Sequence, residues 1–115
     1  GLFTRNSGRL LWMTHPAWPS TTWQIYSHDY DTHAAFFGAK KGSEPVHAQV
    51  NLPDRTLAVV NSLAEPVSGA RLRVRNLALD GTLLDERMIA VDAPALGVIT
   101  VGEAVPEAVF ARAPV

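Results

Sequence analysis

The sequence contains no cysteine. That excludes disulfides, thiolate metal sites and a thiol nucleophile, and it leaves the compartment open. Charge of one sign is also missing. The 10 Lys and Arg against 11 Asp and Glu give a formal net charge of -1. They are scattered, so the chain has neither the basic footprint of a nucleic-acid binder nor a polybasic membrane anchor. No apolar run approaches the roughly 20 residues of a membrane span. The opening GLFTRNSGRLLWM lacks the charged-then-apolar pattern of a signal peptide and does not begin with Met. This start fits a chain that begins inside a longer protein. No GxSxG, P-loop or HExxH motif occurs.

What is present is a 115-residue chain with 47% apolar content, about one domain's worth. Aromatic residues make up only 8% of it, and they are unevenly placed. All three tryptophans and both tyrosines lie in WMTHPAWPSTTWQIYSHDY, from Trp12 to Tyr30. The character changes near Glu44-Pro45. Before it the chain is aromatic and irregular; after it, Val, Leu and Ala dominate, with turn signals at near-regular spacing.

In the first part, RLLWMT (9–14) reads as a short buried strand. HPAWPSTTW is a loop, since its two prolines fix φ and remove donors. DTHAAFFGAKKG (31–42) reads as a helix. Asp31 or Thr32 would cap its start, Lys40 and Lys41 suit its C-terminal dipole, and Gly42 would close it. In the second part, PVHAQVNL (45–52) alternates as a half-buried strand, with Val46, Ala48, Val50 and Leu52 on one parity. PDR is a turn. TLAVVNSL (56–63), ARLRVRNLAL (70–79), TLLDERMIAV (82–91) and GVITVG (97–102) follow as strands. Asp80-Gly81 is the strongest hairpin signal. AVFARA (108–113) reads as the start of one more strand. Short strands with turns every 8–12 residues predict an antiparallel immunoglobulin-like sandwich. The clear strands fall short of the roughly seven of that fold, so the sandwich is expected to be incomplete.

Among candidate sites, Trp18 stands between Pro16 and Pro19 in a surface loop, where binding residues concentrate. An indole face stacks on the apolar face of a sugar ring while its N–H donates. Trp12 and His15 flank that loop, and Trp23 lies just beyond it. The bland alternative for each aromatic is core packing. His28 and His33, with Asp29 and Asp31 between them, lack the three- or four-residue spacing of helical metal ligands. They read as a polar helix entry, and no metal or cofactor is expected. His47 falls on the polar parity of its strand. No carboxylate pair suits glycoside cleavage, which needs two acids facing each other across the bond.

The ordered set Trp12, Trp18-Pro19, Trp23, Ile25-Tyr26, Phe36-Phe37-Gly38 and Glu44-Pro45-Val46-His47 resembles the end of the catalytic barrel in glycoside hydrolase family 2. The closest branch holds β-mannosidases, mannosylglycoprotein endo-β-mannosidases and exo-β-D-glucosaminidases. VVNS (59–62) and LALDGTLL (77–84) resemble the sandwich strands that follow. The chain departs from many members at His15-Pro16, where they carry Asn-Asp or Asn-Asn. The resemblance implies that residues 1–44 are the last strand, aromatic loop and helix of a (β/α)8 barrel, and that 45–115 are an immunoglobulin-like sandwich. It implies a retaining exo-acting β-glycosidase whose two catalytic glutamates lie upstream of Gly1. Trp12 and Trp18 would then shape the subsite for the substrate, an oligosaccharide or glycan ending in a β-linked mannose or related sugar, and His15, by its place in the loop just after the first strand, is the histidine best placed to touch it. The isolated chain would be inactive. Its partners would be the glycan and the rest of the parent enzyme, with no nucleic acid and no membrane. A periplasmic or secreted location goes with the resemblance. A lone barrel strand exposes apolar side chains and backbone donors, so residues 1–43 are expected to pack on the sandwich or to associate with another copy. The alternative is a non-catalytic carbohydrate-binding or structural β-module.

Overall fold

The computed structural model describes residues 10–20 and 24–111, the Phe110 side chain excepted. They fall into two compact units that divide between Glu44 and Pro45.

In the first unit, residues 10–14 form no strand, contrary to the expectation. Leu10, Leu11, Trp12 and Met13 are exposed. A strand needs a neighbour to complete its hydrogen-bond ladder, and none lies beside these residues among those described. Arg9 and Trp23 lie outside the described residues. Helix α1 spans Ala34–Gly42. Its N-cap is His33 rather than Asp31 or Thr32: His33 Nδ1 accepts from the Ala35 N–H at 3.3 Å. Asp31 is committed elsewhere, its carboxylate accepting from the Thr32 N–H at 2.9 Å. Lys40 and Lys41 occupy the last turn, where cations favour the helix dipole. Gly42 is the last helical residue, and Ser43 takes the C-cap position expected of it. Ser43 Oγ donates to the Ala39 carbonyl at 2.7 Å.

The second unit is built from strands β1 (Val46–Asn51), β2 (Thr56–Asn61), β3 (Val67–Leu77), β4 (Leu83–Ala93) and β5 (Gly97–Glu103). A three-stranded sheet runs β1-β2-β5, and a ribbon pairs β3 with β4, all antiparallel. This is the expected immunoglobulin-like arrangement, with five strands described. The β1–β2 turn is tied by Asp54, which accepts from the Thr56 N–H at 3.1 Å and the Thr56 hydroxyl at 2.8 Å. Arg55 takes φ 55° to close it. The Asp80-Gly81 turn forms as the sequence predicts. Asp80 accepts from the Thr82 N–H at 2.9 Å, and Gly81 sits at φ 87°, where a side chain would be strained.

The core lies between the sheet and the ribbon. Leu57, Val74 and Ala104 form one cluster, and Val59, Val91 and Ala93 another, with Leu72 and Val101 packed against both. Asn61, 1% exposed, fastens the strand-to-strand crossings. Its Nδ2 donates to the carbonyls of Glu65 (2.8 Å) and Pro94 (3.0 Å), and its Oδ1 accepts from the Leu63 N–H (3.0 Å). Near the middle of β4, Arg87 donates to Asp85 and Ala104, each at 3.0 Å, and to the Glu103 carbonyl.

Two expectations for this unit need correction. The apolar parity of β1 is the exposed one: Val46, Ala48 and Val50 are exposed, while His47 and Asn51 are half-buried. The register puts Val46, Ala48 and Val50 on the face of Asn61, Val59 and Leu57, yet among the described residues they join neither core cluster between sheet and ribbon. The stretch expected to begin a last strand instead forms helix α2, Glu107–Phe110. Pro106 stands at its N-cap and Glu107 in its first turn, both compatible with a helix start. Four apolar residues without periodicity do not separate helix from strand. Arg112 and Ala113 of that stretch lie outside the described residues.

Candidate functional site

The candidate site lies in the first unit, along residues 12–33. A backbone hydrogen bond from the Tyr26 N–H to the Thr14 carbonyl (3.0 Å) ties the Trp12–Pro19 loop to the chain entering the helix. Residues 27–31 then make a tight turn. The Ser27 N–H donates to the Asp31 carbonyl at 2.9 Å, the Tyr30 N–H donates to the Ser27 carbonyl at 3.0 Å, and Tyr26 bridges Thr32. The Ser27 hydroxyl donates to Asp29 and to the Asp31 carbonyl at 3.2 Å. Tyr30 takes φ 64°, an unusual conformation for an aromatic residue.

This turn delivers Tyr30 to His15. The Tyr30 hydroxyl lies 3.1 Å from His15 Nε2, and the ring centroids are 4.6 Å apart at 38°. The partnership fixes the plane of the imidazole. Sequence reasoning singled out His15 and missed this partner, because a contact across 15 residues depends on the turn's backbone. Behind it, Tyr26 packs on Phe36 and Phe36 edge-on against Phe37, both at 5.3 Å between centroids. The helix thus anchors Tyr26 while the loop stays open.

Neither Trp12 nor Trp18 is a core residue. Trp12 is 79% and Trp18 68% exposed, so packing does not account for either. Pro16, between His15 and Trp18, is buried and anchors the loop. Gln24 is buried, and its Oε1 has no hydrogen-bond partner among the described residues. His28 and His33 do not converge: no group of His, Asp or Glu able to hold a metal ion occurs among the described residues. Asp29 is unsuited to act as a general acid. The Ser27 hydroxyl, followed by backbone N–H groups, holds its carboxyl below the ordinary range, whereas that role needs a raised value. No described helix is long and apolar enough to cross a membrane.

The fold is an antiparallel immunoglobulin-like sandwich of a three-stranded sheet and a two-stranded ribbon, preceded in the sequence by an aromatic segment with one helix. The comparisons make the class specific. No family model matches the chain. It is 41% identical over 76 residues to an exo-β-D-glucosaminidase of Streptomyces avermitilis, a match spanning 66% of this chain and 8% of the relative. It is 37% identical over 81 residues to a mannosylglycoprotein endo-β-mannosidase of Lilium longiflorum, spanning 70% of this chain and 8% of that one. The crystal structure of the exo-chitosanase CsxA of Amycolatopsis orientalis superposes with a TM-score of 0.71 at 33% identity, over 83% of this chain and 11% of that one. The chain therefore belongs to glycoside hydrolase family 2, in the branch of these enzymes. It spans less than one eighth of the length of each of these relatives.

Proposed function

We propose that this chain is the barrel end and following sandwich of a retaining exo-acting β-glycosidase, with residues 1–44 in the barrel and 45–115 in the sandwich. The enzyme removes terminal β-linked sugars, mannose or a related sugar, from oligosaccharides or glycans, and works in a periplasmic or secreted setting. The observation that carries this is the pair of exposed indoles, Trp12 and Trp18, flanking a His15 ring held by Tyr30, in a chain of this family. Trp12 and Trp18 offer apolar faces to a pyranose. His15 presents a polar edge of fixed orientation. The acids beside this site, Asp29 and Asp31, are tied into the 27–31 turn. The catalytic carboxyl pair belongs to the rest of the enzyme, and the chain by itself is inactive.

The test is intrinsic fluorescence of the chain during titration with β-mannosides and glucosamine oligosaccharides. A saturable change that is lost in Trp18→Ala, with the unfolding temperature unchanged, supports the reading. A flat titration of the wild-type chain up to high sugar concentration would refute it.

A further inference from the structure

The start of helix α1 depends on a titratable side chain. Its first turn, Ala34, Ala35 and Phe36, contains no acidic residue and no polar side chain. The first backbone N–H groups of a helix have no partner within it. His33 supplies acceptors in two ways. Its carbonyl accepts from the Phe36 N–H at 2.9 Å and from the Phe37 N–H at 3.5 Å. Its Nδ1 accepts from the Ala35 N–H at 3.3 Å, and its backbone is extended, as an N-cap requires. An accepting Nδ1 carries no hydrogen, so the hydrogen of the neutral ring sits on Nε2. That nitrogen is buried and has no hydrogen-bond partner among the described residues.

An imidazole takes up a second proton between about pH 8 and 5. Here the proton goes to Nδ1, the atom that meets Ala35, and sets one N–H against another. The ring then also places a positive charge where the helix dipole is already positive. Both effects weaken the helix start in acid. Among the described residues of the first unit, the other titratable side chains are His15, Tyr26, His28, Asp29, Tyr30, Asp31, Lys40, Lys41 and Glu44. Asp29 is held by Ser27 and Asp31 by the Thr32 N–H. His15 meets Tyr30, and Lys41 pairs with Glu44. No described carboxylate forms an ion pair with the His33 ring. The helix start is also tied to the aromatic segment. Phe36 packs on Tyr26 at 5.3 Å between centroids, and the Tyr26 N–H donates to the Thr14 carbonyl at 3.0 Å. Thr32, beside the cap, bridges Tyr26.

We propose that His33 is a proton-operated latch on the aromatic segment. As a neutral ring it caps α1 and keeps Phe36 against Tyr26. Protonated in mild acid, it releases the first helical turn and, with it, the Tyr26–Thr14 tie. The latch follows from the helix cap alone and does not depend on sugar binding.

The test is amide hydrogen exchange of the whole chain, followed by NMR at about pH 7.5 and about pH 5, on either side of the imidazole range, and corrected for the intrinsic rate at each pH. Protection of Ala35, Phe36 and Tyr26 should fall about tenfold in acid, from a lost cap and an unfavourable charge together. Val59 and Val91 of the sandwich should keep theirs, since carboxylates titrate below this window. In His33→Thr, whose hydroxyl caps without titrating, the fall should vanish; in His28→Asn it should persist. Imidazole nitrogen shifts should place the His33 hydrogen on Nε2 at the higher pH. An unprotected Ala35 amide at the higher pH, a hydrogen on Nδ1 there, protection that ignores pH, or a fall that survives in His33→Thr overturns the proposal. So does a fall at Ala35 and Phe36 without one at Tyr26. Should His33→Thr not fold, the wild-type profile and the ring tautomer decide alone.

Discussion

Replacing Asn61 by Ala tests whether one side chain fastens the two crossings of the sandwich. Asn61 is almost fully buried and makes three hydrogen bonds to backbone, at 2.8, 3.0 and 3.0 Å. Each such bond is worth about 1 kcal/mol net, and buried partners left unpaired add to the loss. We expect about 3 kcal/mol of destabilisation. At roughly 4–8 °C per kcal/mol for a domain of this size, that lowers the unfolding temperature by more than 10 °C. Circular dichroism during heating and urea titration of the whole chain measure it. Asn61→Asp sharpens the test. It keeps the acceptor for Leu63 but points a carboxylate oxygen at the carbonyls of Glu65 and Pro94. The folded state should then raise that carboxyl's pKa above its unfolded value. The stability lost to the charge is regained as pH falls through the raised value, so the variant should be less stable than Asn61→Ala at neutral pH and recover in acid. An Asn61→Ala chain within about 0.5 kcal/mol of wild type, the usual range for surface changes, would refute the argument.

Gly97→Ala should destabilise by about 1–3 kcal/mol, because an added Cβ would meet Pro94 Cγ at 2.6 Å; urea midpoints show it. Gly81→Ala, at φ 87°, should cost about 1 kcal/mol by the same measurement. Acid should weaken the second unit: hydrogen bonds from Thr56, from Thr82 and from Arg73 hold the carboxyls of Asp54, Asp80 and Glu86 below their ordinary values. Their contribution is present above the unfolded carboxyl range and is lost as pH falls through the depressed values, below about pH 4. Unfolding temperatures scanned from neutral pH downward would show a decline starting there. Tyr30→Phe removes the hydroxyl that meets His15 at 3.1 Å. It should weaken the fluorescence response to sugar with little change in unfolding temperature, since Tyr30 is exposed.

The sandwich was legible because its signals are local. Alternation in 70–79 and 82–91, and Asp80-Gly81 between them, specify a hairpin without help from the rest of the chain. Strand β1 shows the limit. Its parity was readable, but which side is covered depends on the strand above it. The 108–113 stretch was misread because its apolar residues carry no period, although Pro106 and Glu107 mark a helix start. In the first unit, the prolines around Trp18 exposed it as a loop residue. RLLWMT has the composition of a strand, but strand formation is a property of a pair. The His15–Tyr30 contact was out of reach, because it depends on a backbone turn that residue types alone do not dictate.

Among the described residues, four other than glycine adopt positive φ: Met13, Tyr30, Arg55 and Leu96. Each is held there against a preference of about 1–2 kcal/mol. Arg55 and Leu96 sit in turns of the sandwich, so glycine or asparagine at either position relaxes the backbone. Met13 and Tyr30 sit beside the exposed tryptophans and His15. There the same exchange would release strain but erase side chains that shape the site. Drift and laboratory selection for thermostability should therefore diverge along this chain, relaxing the backbone at Leu96 in the sandwich while keeping Met13 and Tyr30 in the aromatic segment.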